Sequence, residues 1–257
     1  MSEASIPQIP GSYNLVTRKR VTSTNDALRV LADNGAPEGT ILVAKSQSAG
    51  RGRYGRSWQS PPGNLYFSLL LRPDCPPMQA LQLGFVAGVA LGDAILALVP
   101  KSVSVQHKWP NDILLDGRKL AGILLESGTT ASAKLDWLVI GMGVNVANAP
   151  QDMAFPATAL AAHGYTLRPS DLIAPIAHAL SRWIDRWRKD GFATVRSAWY
   201  ARAYRRGQSV QVRFEDGAKS GLFVGLDDDG AMLLQTANGA RERLSYGAVF
   251  PDIQAAG

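Results

Sequence analysis

The 257-residue chain has a single cysteine, Cys75, so no disulfide can form within it. Cys75 lies in "PDCPP", a loop pattern, and nothing points to an oxidising compartment, so a cytoplasmic address is expected. Histidine is scarce as well: His107, His163 and His178 stand alone, with no H-E-x-x-H or C-x-x-C spacing, which leaves any metal ligands unknown. No apolar stretch approaches ~20 residues without a charge or a break, so no membrane span or membrane partner is expected. Met1–Gly11 lacks the basic-then-apolar pattern of a secretory leader.

What is present is an ordinary globular composition, 46% hydrophobic and 19% charged, enough for one sizeable core and a small second unit. The net charge of +6 favours anionic partners (nucleotides, nucleic acid, an acidic protein) or reflects a solvated surface with excess lysine and arginine.

Hydrophobic periodicity predicts an α/β (α+β) organisation. Strands are expected over Tyr13–Val21, Thr40–Gln47, Asn64–Leu71 and Asp136–Val146, with a hairpin turning at Asp116-Gly117. Helices are expected after Ser23 and Thr24, both N-cap candidates, over Met78–Val99 as one long buried helix, and over Ser170–Gly191 and Phe192–Ala203. Beyond Gly207 the pattern changes to short alternating strands. Turns at Asp216-Gly217, Asp229-Gly230 and Asn238-Gly239, spaced by ~10 residues, predict a small β-barrel. The expected division is a tail at 1–12, a mixed α/β domain at 13–205 and a small β domain at 206–257.

Five segments carry chemistry: "STN" at Ser23–Asn25, "GRGRYGRSW" at Gly50–Trp58, "KWPNDI" at Lys108–Ile113, "RKLAGILLE" at Arg118–Glu126 and "GMGVN" at Gly141–Asn145. In the second, glycines let backbone N–H groups approach an anion, arginines offer forked donors, and Trp58 can stack or cover. Arginine with glycine and aromatics also fits an RNA-binding segment, or an exposed turn without ligand. Lys108, Asn111 and Asp112 leave one strand end around Pro110, able to hold phosphate, a polar edge, a metal or an amine; a structural turn has the same pattern. Lys119 begins an otherwise buried strand, so it meets an anion or reaches solvent. "GMGVN" is not a dinucleotide fingerprint, because no helix follows and the third glycine is missing. Asn145 can still reach a ligand. His107 reads as structural.

In that order the five segments resemble the biotin–protein ligases, also called biotin–[acetyl-CoA-carboxylase] ligases, over most of the chain. The resemblance implies a central mixed sheet with helices, like class II aminoacyl-tRNA synthetases, plus a small C-terminal SH3-like β-barrel. It implies two steps: biotin and Mg-ATP give biotinyl-5′-AMP, and a lysine of a biotin carboxyl carrier protein domain then takes the biotinyl group. Ser23, Thr24, Asn25, Gln47, Arg51, Gly52, Arg53 and Lys119 are implied for biotin. Arg53, Arg56, Trp58, Lys108, Asn111, Asp112 and Asn145 are implied for ATP. Lys119, Arg53, Asp112 and Lys108 are the implied catalytic groups, Asp112 as base or as a group that positions the amine. Mg2+ is expected with ATP.

The reaction rationalises the charge. A carboxylate and a phosphate ~4 Å apart repel by about 4 kcal/mol at an effective dielectric of ~20, and Arg51, Arg53, Arg56, Lys108 and Lys119 are five candidates to offset this. The glycine-rich loop is expected to close over both substrates. Some relatives carry an N-terminal winged helix; only 22 residues precede Ser23, so no DNA partner is expected. A homodimer through a sheet edge stays open. Rival readings are a lipoate or octanoate ligase on a related fold, a nucleic-acid-binding module and, less well supported, a cysteine-dependent acyltransferase at Cys75.

Overall fold

A computed structural model describes residues 7–129, 135–151 and 153–252. Seven strands form one mixed sheet: β1 (Asn14–Arg18), β2 (Thr40–Ala44), β3 (Leu65–Leu71), β4 (Val105–Lys108), β5 (Asp112–Leu115), β6 (Arg118–Thr129) and β7 (Leu135–Val144). Their order is β1-β2-β3-β7-β6-β5-β4. Only β1 and β2 run parallel; the other neighbours are antiparallel. The β5–β6 hairpin turns at Asp116 and Gly117, both with positive φ (48° and 75°), the backbone that a tight two-residue turn demands.

Alternation along the strands divides the side chains between two layers. Leu65, Phe67, Leu69 and Leu71 of β3, with Leu138, Ile140, Met142 and Val144 of β7, join a core with α3 (Leu83–Leu96), α4 (Ile173–Asp190) and α5 (Phe192–Ala201). On the opposite face α1 (Thr24–Asp33) packs Leu28 and Ala32 on Leu42, Leu70, Val139 and Trp137. Leu28 is fully buried, so truncating it to alanine should cost about 2–5 kcal/mol. This helix is short and covers only one end of its face. The uncovered remainder is where the cleft forms.

The apolar segment expected as one helix is broken. A four-residue helix α2 (Pro77–Ala80) ends before Leu81 and Gln82, and α3 then begins. At the junction i→i−3 bonds replace i→i−4 ones: Gln82 N–H to Gln79 O, Gly84 N–H to Leu81 O, Phe85 N–H to Gln82 O. Gln82 is fixed there by its side chain, which accepts from Trp187 Nε1 at 2.9 Å. By length and composition Pro77–Leu96 could cross a membrane, yet it is buried between the sheet and α4 and α5.

The C-terminal segment forms β8 (Ser209–Arg213), β9 (Ala218–Leu226), β10 (Met232–Gln235), β11 (Arg241–Leu244) and β12 (Ala248–Pro251). They make an antiparallel sheet in the order β11-β10-β9-β8-β12. Its Asp227–Gly230 turn meets the larger sheet: Trp109 Nε1 donates to the Gly230 carbonyl at 3.0 Å. This docking carries β12 to the rim of the cleft.

Candidate active site

Two register rows cross the uncovered face. One runs Leu42, Ser68, Gly141, Leu124; the next runs Ala44, Tyr66, Gly143, Gly122, Asp112, Lys108. Three positions in these rows are glycine, so the sheet presents bare backbone there and other side chains fill the space. A Cβ on Gly141 would lie 2.2 Å from Asn25 Oδ1, and one on Gly143 would lie 2.5 Å from the Trp58 indole. Above this floor is a cleft of about 550 Å³, a size suited to a small-molecule ligand. All fourteen residues implied for biotin and ATP line it: Ser23, Thr24, Asn25, Gln47, Arg51, Gly52, Arg53, Arg56, Trp58, Lys108, Asn111, Asp112, Lys119 and Asn145; Cys75 does not.

One end is built from α1 and its neighbours. Ser23 holds the N-cap position, as expected, but its side chain makes no capping bond. Gln47 supplies the cap instead: its Oε1 accepts from Thr24 N–H at 2.7 Å and lies 3.1 Å from Thr24 Oγ1. The Ser23 hydroxyl therefore stays available to the cleft. Ser68, fully buried, lies 2.7 Å from Asn25 Oδ1 and 2.8 Å from Thr24 Oγ1. Asn25 Oδ1 can only accept, so the single Ser68 proton goes to Asn25, and Thr24 keeps a lone pair for a ligand N–H. Asn25 Nδ2 donates to Glu126 Oε2 at 2.7 Å. Asn25 thus acts mainly as scaffold, while Ser23 and Thr24 offer a donor and an acceptor.

At the other end, Lys108 closes β4 and Asp112 opens β5, directly opposite in register. Asp112 meets Lys119 Nζ at 2.6 Å and Lys108 Nζ at 3.2 Å. Burial pushes the Asp112 carboxyl up, but the two ammonium groups outweigh it and hold the pKa below the usual carboxylate range. Burial pushes Lys108 down, against the pull of Asp112 and helped by repulsion from Lys119. Lys108 Nζ also lies 4.5 Å from the Phe155 ring centre and 5.8 Å from that of Phe250. Lys119 Nζ lies 5.4 Å from the Trp58 ring. Asn111 and Asn145 each donate from Nδ2 to a carbonyl, of Ile123 (2.6 Å) and Thr158 (3.1 Å), stiffening this wall.

The arginine loop folds back on itself: Trp58 N–H donates to Gly50 O at 2.8 Å, and Gly52 N–H to Arg56 O at 2.7 Å. Its tip turns at Tyr54, a non-glycine residue at φ 57°. The arginines differ in kind. Arg51 is bound to Asp26 (2.5 and 2.8 Å) and to Glu126 (2.8 Å), so its charge is already compensated. Arg53 is half-buried, and burial lowers its pKa; its guanidinium bonds to the Tyr54 hydroxyl at 2.8 Å. Neither Arg53 nor Arg56 has a carboxylate partner among the described residues. Five candidate cations therefore do not amount to five free charges. Arg53, Arg56 and the net of Lys108, Lys119 and Asp112 sum to +3 (1 + 1 + 2 − 1), while Arg51 with Asp26 and Glu126 sums to −1 (1 − 2).

His107 is fully buried, and its Nδ1 lies 2.9 Å from the Trp199 carbonyl, away from the cleft and in keeping with a structural role. No group of three or more His, Cys, Asp or Glu is arranged for a metal among the described residues. The cleft-lining carboxylate, Asp112, has both oxygens on ammonium groups. These residues do not fit a protein-held metal centre. Sequence reasoning missed Ser68, Asp26, Glu126, Phe155 and Phe250. The signal for Ser68 was available: a serine among the apolar and aromatic residues of "LYFSLLL" needs a buried partner.

The profile of the biotin/lipoate A/B protein ligase family matches residues 17–145, and that of the biotin protein ligase C-terminal domain matches 207–250. A biotin–[acetyl-CoA-carboxylase] ligase of Paracoccus denitrificans is 38% identical over 237 residues, 90% of this chain and 98% of the relative. The bifunctional ligase/repressor BirA of Bacillus subtilis is 35% identical, over 89% of this chain and 71% of its own length. Among solved structures, the Aquifex aeolicus biotin protein ligase in complex with biotin and ATP aligns with a TM-score of 0.78 at 29% identity, covering 92% of this chain and 97% of that one. The Leishmania major biotin protein ligase in complex with biotinyl-5-AMP aligns at 0.65 with 27% identity, covering 91% and 99%.

Proposed function

The chain belongs to the biotin/lipoate A/B protein ligase family and is a biotin-ligating enzyme, and from that premise we propose the chemistry and the roles of its residues. Biotin and ATP are the substrates. A biotin carboxylate oxygen attacks the α-phosphorus, the bond to the β-phosphate oxygen breaks, and biotinyl-5′-AMP and pyrophosphate form. The ε-amine of a lysine on a biotin carboxyl carrier domain then attacks the acyl carbon. It gives up a proton as AMP leaves and an amide forms. The magnesium of Mg-ATP belongs to the substrate, and no step here relies on it.

One observation carries this reading: a single cleft holds a neutral donor and acceptor pair at one end and uncompensated cations at the other. Ser23 and Thr24 suit the carbonyl and N–H of a urea, and Gly122–Leu124 offers the rings an apolar floor. Lys119, Lys108, Arg53 and Arg56 reduce the repulsion between carboxylate and phosphate. Trp58, Asn111 and Asn145 line the nucleotide side. Asp112, with its lowered pKa, suits a group that spaces two ammonium ions better than one that takes a proton from the attacking amine. Positioning is then the main demand on the second step, because the anhydride is already activated. Residues 13–205 would carry this chemistry, with 206–257 supplying one wall.

The test is biotin-dependent exchange of pyrophosphate into ATP, followed by mass spectrometry of a carrier domain incubated with the protein, biotin and Mg-ATP. Exchange driven by lipoate or octanoate but not by biotin would overturn the assignment in favour of the sister activity.

A further inference from the structure

Glu126 lies in β6 and is absent from the cleft lining, yet two cleft residues end on it. Its Oε2 accepts from Asn25 Nδ2 at 2.7 Å, and its Oε1 from Arg51 Nη2 at 2.8 Å. Arg51 also forks onto both oxygens of Asp26, in the first turn of α1. One guanidinium therefore joins three elements: the arginine loop, the helix that presents Ser23–Asn25, and the sheet floor. Asn25 is held from the other side by Ser68, and the missing side chain of Gly141 lets its carboxamide lie on the backbone. Two carboxylates outnumber the one guanidinium, so Arg51 is bound as an anchor and is not spare charge for a substrate.

Resting on the reading of this end as the biotin subsite, we propose that Glu126 is a positioning residue for biotin. It locks the root of the arginine loop to the wall that carries Ser23–Asn25. The tip beyond Gly52 can then move over the nucleotide without disturbing the contacts to the urea. Glu126 touches neither substrate; it acts through Asn25 and Arg51. Its loss should loosen biotin far more than nucleotide, because among the described residues Lys108, Lys119 and Asp112 make no bond to this clamp, and Arg53 and Arg56 are linked to it only through the loop backbone.

The experiment measures biotin and ATP-analogue dissociation constants and biotin release rates for the full chain. The variants are Glu126→Gln, which can still accept from Asn25, Glu126→Ala, which cannot, and Asp26→Asn, which spares Asn25. Charge-assisted bonds of partial exposure predict that Glu126→Ala raises the biotin constant about tenfold, mostly through release, and Glu126→Gln about threefold. The ATP-analogue constant should stay within about twofold. Arg51→Gln added to Glu126→Gln should cost less than about twofold more, since the two act as one unit. Thermal unfolding of each variant separates this from simple loss of fold. A folded Glu126→Ala protein with wild-type biotin affinity would overturn the proposal, as would equal weakening of biotin and nucleotide. Should Glu126→Ala not fold, the Glu126→Gln and Asp26→Asn constants decide by the same criteria. If the unaltered chain binds no biotin, the functional reading itself fails, a different result from a variant that matches it.

Discussion

Gly143→Ala isolates what Trp58 does. Gly143 sits in β7 with no positive φ, so alanine meets no backbone penalty there. The added Cβ would lie 2.5 Å from Trp58 Cε2 and Nε1 and 2.8 Å from Cζ2. Carbon pairs rest at ~3.5–4.0 Å, so the indole must move by roughly 1 Å or more. Among the described residues nothing ties it by hydrogen bond: Nε1 is buried without a partner there. The clash is therefore relieved by the loop lifting from the floor, not by rearrangement of the core. Losing about a third of the ~150–250 Å² that such an aromatic buries removes ~1.7 kcal/mol of cover, a factor of roughly twenty in retention of a bound intermediate. The assay loads the enzyme with biotin and labelled ATP, then follows loss of the proposed biotinyl-adenylate after a chase. Gly143→Ala should release or hydrolyse it roughly twentyfold faster, with a stability loss of no more than about 1 kcal/mol. Trp58→Ala should do the same, and the double variant should be no worse than Trp58→Ala alone. Retention at the wild-type rate, or a double variant that leaks far faster than either single one, would refute the reasoning.

Asp112→Asn leaves Lys108 buried beside Lys119 without a counter-charge; the cost of about 3–5 kcal/mol should lower Tm by roughly 6–20 °C, and a shift under ~2 °C would contradict the charge assignment. Phe250→Ala removes a ring beside Lys108 and should raise the KM for ATP about fivefold while sparing that for biotin, measured by pyrophosphate exchange. Burial pushes the pKa of His107 down to about 4, so its folded value lies below its unfolded one. Its contribution to stability is complete above ~6.5 and falls by about 3 kcal/mol as the pH drops to ~4. His107→Gln should flatten that part of a Tm-against-pH curve, and an unchanged slope would remove the argument.

The cleft was readable because its chemistry lies on strand ends and loops, where charged and glycine-rich segments interrupt apolar runs. Each of "STN", "GRGRYGRSW" and "KWPNDI" declares itself locally. What the sequence could not declare were partners distant along the chain. Arg51 looks like free positive charge until Asp26 and Glu126, 25 and 75 positions away, are folded onto it. Phe155 and Phe250 carry no local signal at all: the segment after β7 brings Phe155 to Lys108, and the docked C-terminal sheet brings Phe250. The break between α2 and α3 was hidden for a different reason. Periodicity records which faces are apolar, and a switch of hydrogen-bond register at Leu81–Gln82 leaves that pattern unchanged.

The bare floor limits how the specificity of this enzyme can be re-engineered. A pocket is usually widened by shaving side chains from its base, but Gly122, Gly141 and Gly143 leave nothing there to shave. Room for a bulkier acid has to come from the sides, from Leu124 or the Trp58 cover, so selection for enlarged substrates should collect its changes there and spare the glycines.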